Sequence, residues 1–215
     1  YLEHLMYSLA SYSQLQDRRL DVVLIDSPLI NAFAAPGGIV GINYGLFTYG
    51  QTEHEISAIL SHELAHLSQR HFARGVEAGK KTGVINLAGL LASVILMTTV
   101  GGDAGMAAFG ATQGIVQNEY LTHSRAREAE ADRVGIDTLV EAGMDPRAMA
   151  YMFERLERAN RFSSSRIPEF LRTHPVTKSR ISDAYNQTRN YAKKTWPPNL
   201  NYQLMRTRVT ALTTK

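Results

Sequence analysis

Apolar residues return at helical spacing as soon as the chain begins: Leu2, Leu5, Met6, Leu9 and Tyr12 predict a first helix. A polar stretch over 14–17 gives way to Leu20-Asp21-Val22-Val23-Leu24-Ile25, which reads as a short strand. Two more extended runs, 30–34 and 39–42, flank Pro36-Gly37-Gly38 and predict an irregular hairpin. A small-residue strand bordered by glycine suits a sheet edge that another backbone can approach, such as a substrate added as a strand; an ordinary tight turn explains the same glycines. The strongest helical pattern follows. With successive residues ~100° apart, Ile56, Ile59, Leu60, Leu64 and Leu67 fall on one broad stripe, and Thr52 with Glu55 supplies a capping-box start. This predicts a helix over 52–78. Glu63 falls inside its apolar stripe, where a carboxylate needs a reason.

Beyond it, 83–102 carries no charge and is strongly apolar at its centre, long enough to cross a bilayer. Its many Gly, Ser and Thr residues, and a Gly/Ala-rich 104–116 too mixed for a return span, favour instead a helical hairpin covering a functional site, hinged around Asp103. Membrane insertion or surface attachment through 83–117 is the alternative. A helix over 117–141 stops at Gly143, and Asp145-Pro146 opens the next, 146–160. After the serine loop 163–165 and a turn at Pro168 comes Thr173-His174-Pro175, then a helix over 176–193. Trp196-Pro197-Pro198 marks a boundary, so 1–196 is expected to be one domain and 197–215 a linker with the start of a C-terminal helical module. No internal repeat is evident.

Composition narrows the function classes. The 215 residues, 44% hydrophobic, can build one full core. A net charge of +3, spread along the chain, gives no footprint for nucleic acid. With no cysteine, disulfides, thiolate metal sites and thiol nucleophiles are excluded. Tyr1 opens within helical pattern, with no initiator Met or charged leader, so a targeting segment would lie outside this sequence.

The chemistry gathers on His62-Glu63-Leu64-Ala65-His66. Histidines one turn apart, ~40° around the axis, can direct two imidazole nitrogens at one tetrahedral metal, while the intervening Glu takes a proton from activated water. The plain alternative is a pair of hydrogen-bonded, half-buried histidines. A catalytic zinc needs a third protein ligand, and the candidate segment is Arg127-Glu128-Ala129-Glu130-Ala131-Asp132-Arg133. Glu128 and Asp132 sit one turn apart, so the first can bind metal while the second orients a liganding histidine. Alone, that run would be a solvated face with local ion pairs. His71, ~140° round from His66, is expected at the surface.

These residues resemble the zinc metalloproteases of the HtpX and BepA type, whose signature is H-E-x-x-H followed by E-x-x-A-D, here Glu128 to Asp132. The likeness extends to Asn31-Ala32-Phe33-Ala34 with Gly37-Gly38, to Gln69-Arg70-His71, and to Thr173-His174-Pro175 with Arg180. The BepA-like periplasmic branch is the most similar. The resemblance implies an α+β, mainly helical, zincin-like fold with a small β-sheet and an active-site helix. It also implies one zinc per chain on His62, His66 and Glu128, with Glu63 as general base. His174 would take the fourth position and keep the enzyme latent, though a histidine before proline also serves as a turn residue. Arg180 would steady an oxyanion or a carboxylate. The implied activity is periplasmic endoproteolysis of misfolded or stalled envelope proteins alongside the outer-membrane assembly machinery. A chaperone or scaffold with a latent zinc site, or an integral membrane protease with spans at 83–102, are the competing readings.

Overall fold

Backbone hydrogen bonding divides the chain into three short strands and nine helices among the residues that a computed structural model describes, 1–162, 168–192 and 194–213. The serine loop 163–165 and Lys193 lie outside them, and the helix expected over 176–193 is shorter, spanning Lys178–Thr188. Two compact units result, one made of Tyr1–Gln69 with Ala129–Lys215, the other of Arg70–Glu128.

In the first unit, α1 (Leu2–Tyr12) buries Leu5, Met6 and Leu9 of the stripe its spacing predicts, with Leu2 half-buried and Tyr12 exposed. Strands β1 (Asp21–Ile25), β2 (Ala32–Ala35) and β3 (Ile39–Asn43) form a sheet in the order β1-β3-β2. Val22 faces Val40 in the parallel β1–β3 pair, and Ala34 faces Val40 in the antiparallel β2–β3 pair. The expected hairpin is therefore β2–β3, with β3 central and β2 at an edge. Its glycines have steric reasons. Gly38 has φ +86°, and a Cβ there would strike the Arg19 carbonyl; Gly41 leaves room for the Phe33 ring of the neighbouring strand.

Helix α2 (Tyr44–Tyr49) leads to α3 (Glu53–Ser68). The Thr52 hydroxyl accepts the Glu55 N–H at 3.1 Å, and the Glu55 carboxylate accepts the Gln51 N–H at 2.8 Å. Every residue from Glu55 to Ala65 is buried, more than one stripe, because α1, β2 and α6 (Ala148–Phe162) surround the helix. Complete burial of Ile56, Ile59, Leu60 and Leu64 contributes about 1.5–3 kcal/mol each. The predicted extent of 52–78 needs correction: α3 stops at Ser68, and Arg70 takes a left-handed conformation, φ 52° and ψ 39°. The angular count from His66 does not carry across this break, and His71, expected outside, is buried.

Helix α5 (Gly102–Glu141) ends at Gly143, φ +68°, where the Gly143 and Met144 N–H groups return to the Val140 and Leu139 carbonyls. Three further helices follow, α7 (Glu169–Thr173), α8 (Lys178–Thr188) and α9 (Leu200–Thr213). Tyr202 on α9 is fully buried, its ring 5.6 Å from that of Phe47, and its hydroxyl donates to the Gly50 carbonyl at 2.9 Å.

The second unit is a helical hairpin of α4 (His71–Thr99) and the first part of α5, turning at Val100 and Gly101. Helix α5 runs unbroken from Gly102, whereas the sequence placed a helix start only at 117. Gly105 lies where a Cβ would stand 2.6 Å from the Met97 Cβ, so close packing takes the place of intrinsic propensity. Among the described residues, α4 is the one helix long and apolar enough to cross a membrane.

Candidate metal centre

Helix α3 presents His62, Glu63 and His66 together, and the first two are 0% and 1% exposed. Burying an acid and an imidazole this completely demands partners. Small residues let those partners approach. Ala65 packs with Ala131 and Val134 of α5, and a Cβ on Gly135 would lie 3.1 Å from the His62 backbone nitrogen. Gly135 is a contributor that sequence reading missed. Its only signal was a glycine inside a helical pattern.

His62, His66, Glu128 and His174 each offer one ligand atom, and these atoms all lie within 4.8 Å of one another. Nε2 of His66 is 2.9 Å from Nε2 of His62, which is 3.4 Å from Nδ1 of His174. Nitrogen and oxygen ligands around a tetrahedral ion at zinc-like bond lengths stand about 3.4 Å apart. The donor set, three imidazoles and one carboxylate, thus fits a four-coordinate metal in both chemistry and spacing.

Around these donors lies a second layer. Oδ1 of Asp132 is 2.9 Å from Nδ1 of His62, the outer-nitrogen contact expected for a residue one turn beyond Glu128. Asp132 also accepts a two-pronged contact from Arg180, Nε to Oδ2 and Nη2 to Oδ1, both 2.7 Å. Burial works to raise the Asp132 carboxyl, but His62 and Arg180 outweigh it and hold the group below the ordinary carboxylate range. The carboxylate that Arg180 meets here is that of Asp132. The remaining Arg180 nitrogen, Nη1, donates to the Pro175 carbonyl at 2.9 Å, and the guanidinium lies 4.7 Å from the Phe153 ring centroid.

Pro175 follows His174, so Arg180 joins the turn that carries His174 to the carboxylate that orients His62. The His174 N–H donates to the Phe170 carbonyl at 2.8 Å, and the two rings lie 4.8 Å apart. Phe170, also missed in the sequence, is fully buried. Nε2 of His174 reaches to 3.6 Å from Oε1 of Glu63. The arrangement can bind a divalent metal, hold a carboxylate beside it and cover both with a third imidazole.

The model of peptidase family M48 matches residues 1–188. A putative beta-barrel assembly-enhancing protease of Vibrio cholerae is 40% identical over 183 residues, 85% of this chain and 37% of its own. The beta-barrel assembly-enhancing protease of Escherichia coli K12 is 36% identical over 187 residues, 87% of this chain and 38% of its own. The mitochondrial metalloendopeptidase OMA1 of Bos taurus is 33% identical over 159 residues, 71% of this chain and 29% of its own. The chain spans less than two fifths of the length of these relatives.

Proposed function

The chain belongs to peptidase family M48, and from that premise we propose that it is the catalytic domain of a zinc endopeptidase kept latent by His174. His62, His66 and Glu128 hold one zinc, and His174 occupies the fourth position until it is displaced. The observation that carries the reading is the convergence of those four side chains, with Glu63 beside them. When bound, zinc supplies Lewis acidity and brings the pKa of a water to about 7.

The chain's own residues do the rest. Glu63, enclosed and without a place in the ligand set, accepts the proton of the attacking water and passes it to the leaving amine. Asp132 fixes the tautomer and orientation of His62 through Nδ1. Arg180 is a positioning residue rather than a catalytic one: it neutralises Asp132 and anchors the Pro175 carbonyl. The outer edge of β2 offers backbone groups to which an extended peptide can add as a strand.

The names of the Vibrio cholerae and Escherichia coli relatives, beta-barrel assembly-enhancing proteases, support a role in β-barrel assembly. The substrate class we propose is outer-membrane proteins stalled or misfolded in the periplasm. We read 197–215 as a linker and the first helix of a C-terminal helical module, docked on the first unit through the buried Tyr202. A second reading has its own support in the 3.6 Å His174–Glu63 approach: a closed scaffold that binds assembly intermediates without cutting them. Metal analysis with casein digestion separates the two. One zinc per chain, with cleavage that disappears in Glu63→Gln, supports the peptidase; one zinc with no cleavage even in His174→Ala supports the scaffold.

A further inference from the structure

The hydrogen bonds along β2 fix which of its backbone groups face outward. The Asn31 carbonyl accepts the Asn43 N–H at 3.0 Å, so Asn31 turns toward β3. Backbone groups of alternate residues in a strand point to opposite sides, so Phe33 and Ala35 also bond to β3 while Ile30, Ala32 and Ala34 turn to the free edge. That edge stops at Pro36, which has no N–H to donate and opens the turn into β3. A strand added here can therefore lengthen in one direction only, from Ala34 through Ala32 to Ile30.

That direction is already taken. The Phe170 N–H of α7 donates to the Ile30 carbonyl at 3.1 Å, as a residue of an added strand would. Phe170 stands in the first turn of α7, where amides lack a partner within the helix, and the strand edge supplies one. Ala32 is wholly buried, and its outward N–H and C=O have no protein partner among the described residues. Buried backbone groups are rarely left unpaired, and these two have the direction that an extended chain would satisfy. Ala34, half-buried, is the part of the edge that such a chain reaches first.

The same short helix carries His174. Its N–H donates to the Phe170 carbonyl at 2.8 Å, and the two rings lie 4.8 Å apart. With five residues, α7 is too short to hold itself and depends on what its ends touch. One end touches Ile30; the other sets His174 beside His62 and Glu63. Phe170 is fully buried, so α7 withdraws only when another apolar side chain covers what it vacates, and an apolar client strand brings one.

We propose that a client strand and α7 compete for the Ile30 carbonyl, so that strand addition along β2 itself withdraws His174. The site then opens to an extended chain long enough to pass Ala32 and stays shut to shorter ones. The inference rests on reading β2 as the substrate edge and His174 as the latch.

Hydrogen exchange read by mass spectrometry tests it on the full, zinc-loaded chain carrying Glu63→Gln, which leaves the probe uncut. The probe is a peptide of about ten residues alternating valine with threonine, paired with a control N-methylated throughout, which cannot donate to a strand edge. At saturating peptide, 30–35 is expected to exchange more slowly and 169–174 roughly tenfold faster, with neither changed by the control. Protection of 30–35 with 169–174 unchanged overturns the competition and leaves β2 as the substrate edge. No protection of 30–35 overturns the edge reading and the inference together. Opening of 169–174 by the N-methylated control also overturns the competition, since release would then not come from backbone pairing.

Discussion

His174 directs its two ring nitrogens at different neighbours: Nδ1 lies 3.4 Å from Nε2 of His62, and Nε2 lies 3.6 Å from Oε1 of Glu63. One side chain therefore meets both a candidate metal ligand and the candidate base, the place that attacking water has to occupy. His174→Ala is expected to retain zinc and raise casein cleavage roughly tenfold or more, the effect of lifting ~1.4 kcal/mol of bias toward the closed state. Reduced cleavage with zinc retained would give His174 a catalytic role and remove the latch.

Arg180 holds Asp132 at two points and the Pro175 carbonyl at a third. Lysine keeps the charge and loses the fork. In Arg180→Lys the thermal stability of the metal-free protein is expected to fall by about 3 kcal/mol, since a buried pair is left badly matched. Zinc affinity, measured by chelator competition, is expected to drop ~10–100-fold. Wild-type values for both would reduce Arg180 to a bystander.

Gly135 offers a test in which two effects have opposite signs. By helix propensity alone, Gly135→Ala would stabilise α5 by about 1 kcal/mol. The new Cβ would meet the His62 nitrogen and Cα at 3.1 and 3.3 Å, backbone atoms of a fully enclosed helix that cannot yield as a flexible side chain does. Overpacking is expected to win, with a net loss of about 1 kcal/mol or more in denaturant unfolding. A gain in stability would show that α3 and α5 can move apart at this point.

His54 supplies a pH dependence away from the metal. Burial lowers its pKa, against the pull of Asp145 and Glu53, and its Nδ1 accepts the Asp145 N–H at 3.3 Å. The unfolded chain therefore binds the proton more readily than the folded one. This contribution is fully present above the unfolded value of about 6.5 and is lost as pH falls through the lower folded value. Thermal melts from pH 7.5 to 5 are expected to show a decline that His54→Gln diminishes. An identical slope in the variant would assign the decline to other groups.

What could be read from the sequence was what depends on local periodicity. One-turn spacing was enough to pair His62 with His66 and Glu128 with Asp132, and Thr52 with Glu55 located the start of α3. The end of that helix was not legible, because Arg70 adopts a left-handed conformation with neither glycine nor proline to announce it, and the placement of His71 failed with it. A helix was expected to start at 117, but α5 is continuous from Gly102, with Gly105 packed closely against Met97 and Ser93. The partners of Arg180 and the place of Phe170 depend on segments far apart in the chain, which periodicity cannot bring together.

The most direct measurement is zinc stoichiometry with casein cleavage on the wild-type chain, Glu63→Gln, His174→Ala and the double variant. The account expects one zinc per chain in all four. Weak wild-type cleavage should rise in His174→Ala and fall by ~100-fold or more whenever Glu63 is replaced, because the carboxylate moves protons and does not hold metal. Cleavage that survives Glu63→Gln, or zinc lost with that substitution, would contradict the account at its centre.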